Sequence, residues 1–138
     1  MSRFVLDCSV AMAWCFENQR DRYSDAILGA LEADSAMVPA LWPLEVTNVL
    51  LVAERRRQLR HADAMRFLAL VAELPVEVDR APALREMREL LALGRQHRLA
   101  VYDAAYLHLA ARERLPLATR DGALRAAMRA AGVGAFTP

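Results

Sequence analysis

A chain of 138 residues is long enough to bury one core without disulfide or metal staples, so one domain over residues 1–138 is expected. Its net charge of +1 excludes a generally basic nucleic-acid binder and leaves local basic patches as the only route to polyanions. Hydrophobic residues make up 56% of the chain, which hints at apolar surface kept for a partner, yet no uninterrupted apolar run approaches the roughly 18 residues of a membrane span.

Arg3-Phe4-Val5-Leu6 reads as a short buried strand, closed by Asp7-Cys8-Ser9, which can begin a helix running to about Phe16. The opening lacks the length and cleavage site of a secretory leader, so a cytoplasmic protein is expected. Cys8 and Cys15 show neither CxxC spacing nor a histidine at zinc spacing, and are expected as free thiols. Polar residues 17–22 lead into an amphipathic helix from Tyr23 to Ala33. Ala36 to Pro39 reads as a second strand. Trp42-Pro43 opens a long helix to about Arg57, with proline at a tolerated early position. His61 begins a further helix through Leu74, and Pro75 to Val78 reads as a third strand. Leucines at helical spacing mark residues 83–97. Tyr102-Asp103 starts a helix to Arg114, Leu115 to Thr119 reads as a fourth strand, and Asp121-Gly122 leads into a helix ending near Gly132. Gly134 to Phe136 is a candidate fifth strand. Short apolar strands alternating with helices imply a parallel sheet covered on both faces.

Chemistry in open α/β sheets gathers at the carboxyl ends of the strands. Asp7 follows the first strand, Asp121 the fourth, and Glu45 lies in the first helical turn after the second. Asp103 starts a helix that the sequence alone does not place. Taken singly, Asp7, Asp103 and Asp121 are what a helix N-cap prefers, and Glu45 is what the helix macrodipole prefers. The joint pattern says more: Val5-Leu6-Asp7-Cys8-Ser9, Glu45-Val46-Thr47-Asn48, Tyr102-Asp103-Ala104-Ala105-Tyr106 and Leu117-Ala118-Thr119-Arg120-Asp121.

These four segments, in this order, resemble the PIN-domain family, and most closely the VapC-type toxins of bacterial toxin–antitoxin pairs. The resemblance spans residues 4–121. It implies a three-layer α/β/α sandwich around a parallel sheet of about five strands, divalent metal at the acid cluster, and cleavage of RNA. It also implies a homodimer and a VapB-type antitoxin, one segment of which enters a groove near the first two helices, where Trp14, Phe16 and Tyr23 lie. The alternative is a PIN-fold binding or assembly module with little nuclease activity.

The implied chemistry is coherent. Crowded carboxylates hold protons at neutral pH unless a cation joins them. Oxygen-only ligands suit Mg²⁺ or Mn²⁺, which keep several waters, activate one of them and bind substrate phosphate. Asp7, Asp103 and Asp121 are the expected ligands, directly or through water. Glu45 either joins a second ion or orients the attacking water.

Around the acids, Ser9 and Thr119 are candidates to hydrogen-bond a carboxylate or a metal-bound water. Asn48, one helical turn after Glu45, is a candidate to orient an acid. Tyr106 is expected in the core. Arg120 and Arg125 are candidates to grip RNA phosphates, because four carboxylates would otherwise repel the substrate; Arg125 can equally pair with Asp121 at i,i+4.

All 18 basic residues are arginine. The absence of lysine excludes receiver domains and haloacid-dehalogenase-like phosphatases, which need a lysine beside the reacting aspartate. It also removes the Gly-Lys of a P-loop, and no Gly-x-Ser-x-Gly supports an α/β-hydrolase.

Overall fold

A computed structural model describes all residues from 1 to 138. The first strand, β1 (Arg3–Leu6), has Phe4, Val5 and Leu6 all fully buried. A strand with no polar alternation is covered on both faces, which fits a central place in a parallel sheet. Three further strands flank it: β2 (Ser35–Val38), β3 (Val76–Val78) and β4 (Leu117–Ala118). Their order is β3-β2-β1-β4, and every pairing is parallel.

Parallel neighbours need crossovers, and seven helices supply them. They are α1 (Cys8–Cys15), α2 (Arg22–Ala30), α3 (Trp42–Arg55), α4 (His61–Glu73), α5 (Met87–His97), α6 (Val101–Glu113) and α7 (Gly122–Ala130). One apolar cluster joins the buried residues of the central strand to residues of α1, α3, α6 and α7, including Val10, Val46, Leu107 and Leu124. Fully burying side chains of this size stabilises by about 1.5–3 kcal/mol each before entropy is counted. Cys8 and Cys15 are free, and burial pushes the Cys8 thiol up to about 12, so it is inert as a thiolate. No helix is long and apolar enough to cross a membrane.

The expected fifth strand is a single bridge, Ala135 to Leu117, on the outer side of β4. Its main chain is drawn out of the ladder at once. The Phe136 ring stacks on Phe4 with centroids 4.0 Å apart, and its carbonyl accepts the Tyr23 hydroxyl at 2.9 Å. Two helices are shorter than expected. The second ends at Ala30, and residues 31–33 close as turns. The fifth begins at Met87 after a 3₁₀ turn at Leu84–Glu86, where the Glu86 carboxylate bonds back to the Ala83 N–H at 3.0 Å.

Register places the site. Leu6 pairs with Ala118, and the Asp7 N–H donates to the Ala118 carbonyl at 3.0 Å. Asp7 and Thr119 therefore leave the sheet side by side.

Candidate active site

Asp7 sits at the N-cap of α1 with extended backbone (φ −74°, ψ 145°), yet its side chain makes no capping bond. Its Oδ2 instead receives the Ser9 hydroxyl at 2.6 Å and the Thr119 hydroxyl at 2.7 Å. Each hydroxyl also accepts: Ser9 Oγ from the Arg120 N–H and Thr119 Oγ1 from the Asp121 N–H, both at 3.0 Å. Both hydroxyls are thus satisfied as donor and acceptor. A carboxylate only 6% exposed is tied through them to the loop between β4 and α7, leaving Oδ1 clear of both.

Helix capping accounts for one of the four acids. Asp121 Oδ1 accepts the Leu124 N–H at 2.9 Å at the start of α7, and its second oxygen is uncommitted. Asp103 is the third residue of α6, whose N-cap is Ala100, and its carboxylate has no hydrogen-bond partner. Glu45 lies in the first turn of α3 and accepts the Tyr106 hydroxyl at Oε1. The Tyr106 ring is fully buried, as expected of a core residue, but its hydroxyl reaches the site. Because Tyr106 follows Asp103 by three residues, α6 supplies one acid and holds another.

Burial raises the pKa of the Asp7 carboxyl, against the pull of its two hydroxyl donors, and the charge of Asp121 raises it further. Glu45 is raised by burial and by the charges of Asp7 and Asp103. Asp103 is raised by burial, then by Asp121 and Asp7. Asp7, Glu45 and Asp103 therefore form one electrostatic unit, with the charge of Asp121 acting on two of them. Such a unit attracts protons or a cation.

No three of these carboxylates stand close enough together to ligate one ion by themselves. The donor set is nevertheless all oxygen. A cation here would be held by one or two carboxylates and retained water, which is how Mg²⁺ is commonly bound. Asp7 Oδ1, the Asp103 carboxylate and Asp121 Oδ2 are the oxygens free to hold it.

The arginines differ from simple surface charges. Arg120 donates from Nε to Asp21 Oδ2 at 2.6 Å, while Asp21 Oδ1 accepts the Ser24 N–H at the N-cap of α2. Arg125 does not pair with Asp121. Its Nε donates to the Thr119 carbonyl at 3.0 Å, and its guanidinium lies over the Tyr23 ring, 5.5 Å from the centroid. Both guanidiniums are anchored through Nε, and together with Ser9, Asp21, Tyr23 and Asp121 they line a recess beside the acids. Asn48, one helical turn after Glu45, is exposed, has no side-chain hydrogen bond, and lines a groove between α1, α3 and α4. Trp14 and Phe16 line the same groove, whereas Tyr23 belongs to the recess with Arg125.

Two contributions were not read from sequence: the reach of Asp21 to Arg120 and the bond from the Tyr106 hydroxyl to Glu45. Asp21 carries the Asp-x-x-Ser spacing of an N-cap, a sign of capping but not of its reach to Arg120. The Tyr106 hydroxyl was foreseeable in kind, because a buried tyrosine oxygen usually finds a partner.

A family model described as PIN domain matches residues 4–129. No curated protein matches the chain. Among solved structures, the crystal structure of PAE2754 from Pyrobaculum aerophilum is similar in fold, with a TM-score of 0.70 over 98% of this chain and 88% of that one, at 23% identity.

Proposed function

The chain belongs to the PIN-domain family, whose fold is of nuclease type, and on that premise we propose that it is a metal-dependent endoribonuclease hydrolysing RNA phosphodiester bonds. The observation that carries this reading is Asp7. A buried carboxylate fixed by two hydroxyls on one oxygen, within range of three other carboxyls, is costly to fold and useful for holding a cation.

In this reading Asp7, Asp103 and Asp121 would hold Mg²⁺ or Mn²⁺, one or two of them directly and the rest through retained water. When bound, such an ion acidifies a water and stabilises charge on the phosphate. Tyr106 fixes Glu45 through Oε1, so Oε2 is the atom that orients the attacking water and accepts its proton. Ser9 and Thr119 keep the Asp7 carboxylate from turning. Arg120 and Arg125, each anchored at Nε, present their remaining N–H groups to phosphates flanking the cut. Asn48, one helical turn after Glu45 on α3, is the remaining candidate to orient an acid.

The test is cleavage of RNA by the purified chain with Mg²⁺ or Mn²⁺, and its arrest by EDTA. Asp7→Asn and Asp103→Asn should remove the activity. Equal cleavage by wild type and both variants would falsify the assignment.

The chain acts, in the same reading, as the toxin of a toxin–antitoxin pair and as a homodimer. The motif resemblance to VapC-type toxins supports this, as does the groove lined by Trp14, Phe16, Val49, Leu59 and Phe67 with Arg56 and Arg66 beside them. The lining also holds Glu17 and Asp63, the latter 3.5 Å from Arg66, so it is the apolar part of the groove that suits the apolar face of an amphipathic segment. Expression should arrest growth, and co-expression of a short neighbouring reading frame should relieve it. Unimpaired growth at high levels of soluble wild type would remove the toxin role without touching the ribonuclease assignment.

A further inference from the structure

The acids and the two arginines account for one side of the centre and leave the ground beyond Asp103 unexplained. A cavity of about 230 Å³ lies there, past the carboxyl ends of β2 and β3. Leu41, four residues before Glu45, contributes to its wall, as do Val101 and Tyr102, immediately before Asp103. The two segments that deliver Glu45 and Asp103 thus also bound this cavity. Leu90 of α5 and Leu109 of α6 extend the apolar lining. Tyr102 leaves 68% of its surface exposed beside the acid.

We propose that this cavity is a nucleobase subsite of the ribonuclease centre, with Tyr102 as its stacking platform; the inference rests on the ribonuclease reading above. Size narrows the occupant. The volume is below the roughly 300–1,000 Å³ of pockets for drug-sized ligands, so it suits one ring system rather than a whole nucleotide.

Charge narrows it further. The polar part of the lining is already paired: Arg112 Nη2 lies 2.8 Å from Asp79 Oδ1, Arg80 Nη1 lies 2.5 Å from Glu86 Oε1, and His108 Nε2 lies 2.6 Å from Glu89 Oε2 outside the cavity. A bare phosphate would meet two carboxylates there, and a bare cation two guanidiniums. A neutral heterocycle gains from both parts, with its face against leucine and tyrosine and its donor–acceptor edge against the paired charges. Unstacked RNA bases are recognised in this way, by aromatic stacking and by hydrogen bonds to their edges.

The experiment follows the chain by NMR while adenosine, guanosine, cytidine and uridine 5′-monophosphates are titrated in separately, with ribose 5-phosphate as the base-free control. The expected result is a set of shifts at Leu90, Val101 and Leu109 with at least one nucleotide and none with ribose 5-phosphate. Tyr102→Ala should weaken that binding about tenfold or more, and Tyr102→Phe should keep it. Because Tyr102 is exposed, neither change threatens the fold. In cleavage assays, Tyr102→Ala should flatten the preference for the base next to the cut. Shifts confined to Arg120 and Arg125, or the same shifts with ribose 5-phosphate, overturn the subsite, since only phosphate is then bound. If RNA is cleaved in an Asp7-dependent way but the cavity shows no base-dependent shift, the subsite fails and the nuclease stands. Base-dependent shifts at the cavity in a chain that cuts no RNA uphold base binding there and remove the nuclease.

Discussion

Asp7→Asn separates what a carboxylate does for stability from what it does for chemistry. The amide oxygen can replace Oδ2 and still accept both hydroxyls, so the local hydrogen bonding survives while the buried charge is lost. Metal-free Asp7→Asn protein should therefore melt a few degrees above wild type at neutral pH while cutting no RNA, a pairing visible by calorimetry and cleavage assay. A lower melting temperature would mean that the charge is better solvated than its burial indicates. Thr119 gives the complementary case. Thr119→Val keeps the shape but strips the Asp7 carboxylate of one donor and the Asp121 N–H of its acceptor, at a cost of about 1–3 kcal/mol. Thr119→Ser should restore most of that stability, as measured by denaturant unfolding. At this scale Asp7 and Asp121 could be placed from sequence because they follow apolar strands, whereas Asp103, inside a helix that follows another helix, could not. The Arg120–Asp21 tie could not, since it joins residues 99 positions apart with no shared element.

Three helices stop on a non-glycine residue in or near the left-handed region: Arg57 after α3, Arg98 after α5 and Arg114 after α6. Arginine pays a steric penalty there that glycine avoids. Arg114 is exposed and has no ion pair, so Arg114→Gly should stabilise the chain by about 0.5–1 kcal/mol, read as a rise in the urea midpoint with unchanged slope. The same ends show why element boundaries were harder to read from sequence than the elements themselves. Apolar periodicity located every helix, but a stop written in arginine carries no glycine signal. The strands fared by burial. The wholly apolar runs of β1 and β2 were plain, whereas Leu115 to Thr119 yielded only Leu117–Ala118. The last strand shrank to one bridge because Phe136 packs on Phe4 instead of continuing the ladder.

For the molecule as a whole, the raised carboxyls set the response to pH and metal. Asp7, Glu45 and Asp103 each prefer to be protonated when folded. Their contribution is complete below the unfolded values near pH 4 and is lost as pH rises through their higher folded values. Asp21 and Glu86 act the other way: Glu86, held at about 2 by the Arg80 hydrogen bond, contributes above its unfolded value and loses this as acid approaches pH 2. Metal-free protein should therefore be most stable in mild acid, and thermal melts across pH 3–8 check it. Saturating Mg²⁺ or Mn²⁺ should move the optimum toward neutrality, adding about 2.7 kcal/mol at a hundred times Kd, and Asp7→Asn should abolish that gain. The contacts around Asp7 also fix a timetable. A nascent chain carries Asp7, Glu45 and Asp103 well before Thr119 and Asp121 exist, and the Phe4–Phe136 stack waits for residue 136. Half-made chains hold most of the acids but no assembled centre, so the four carboxyls come together only after residue 121 has been made.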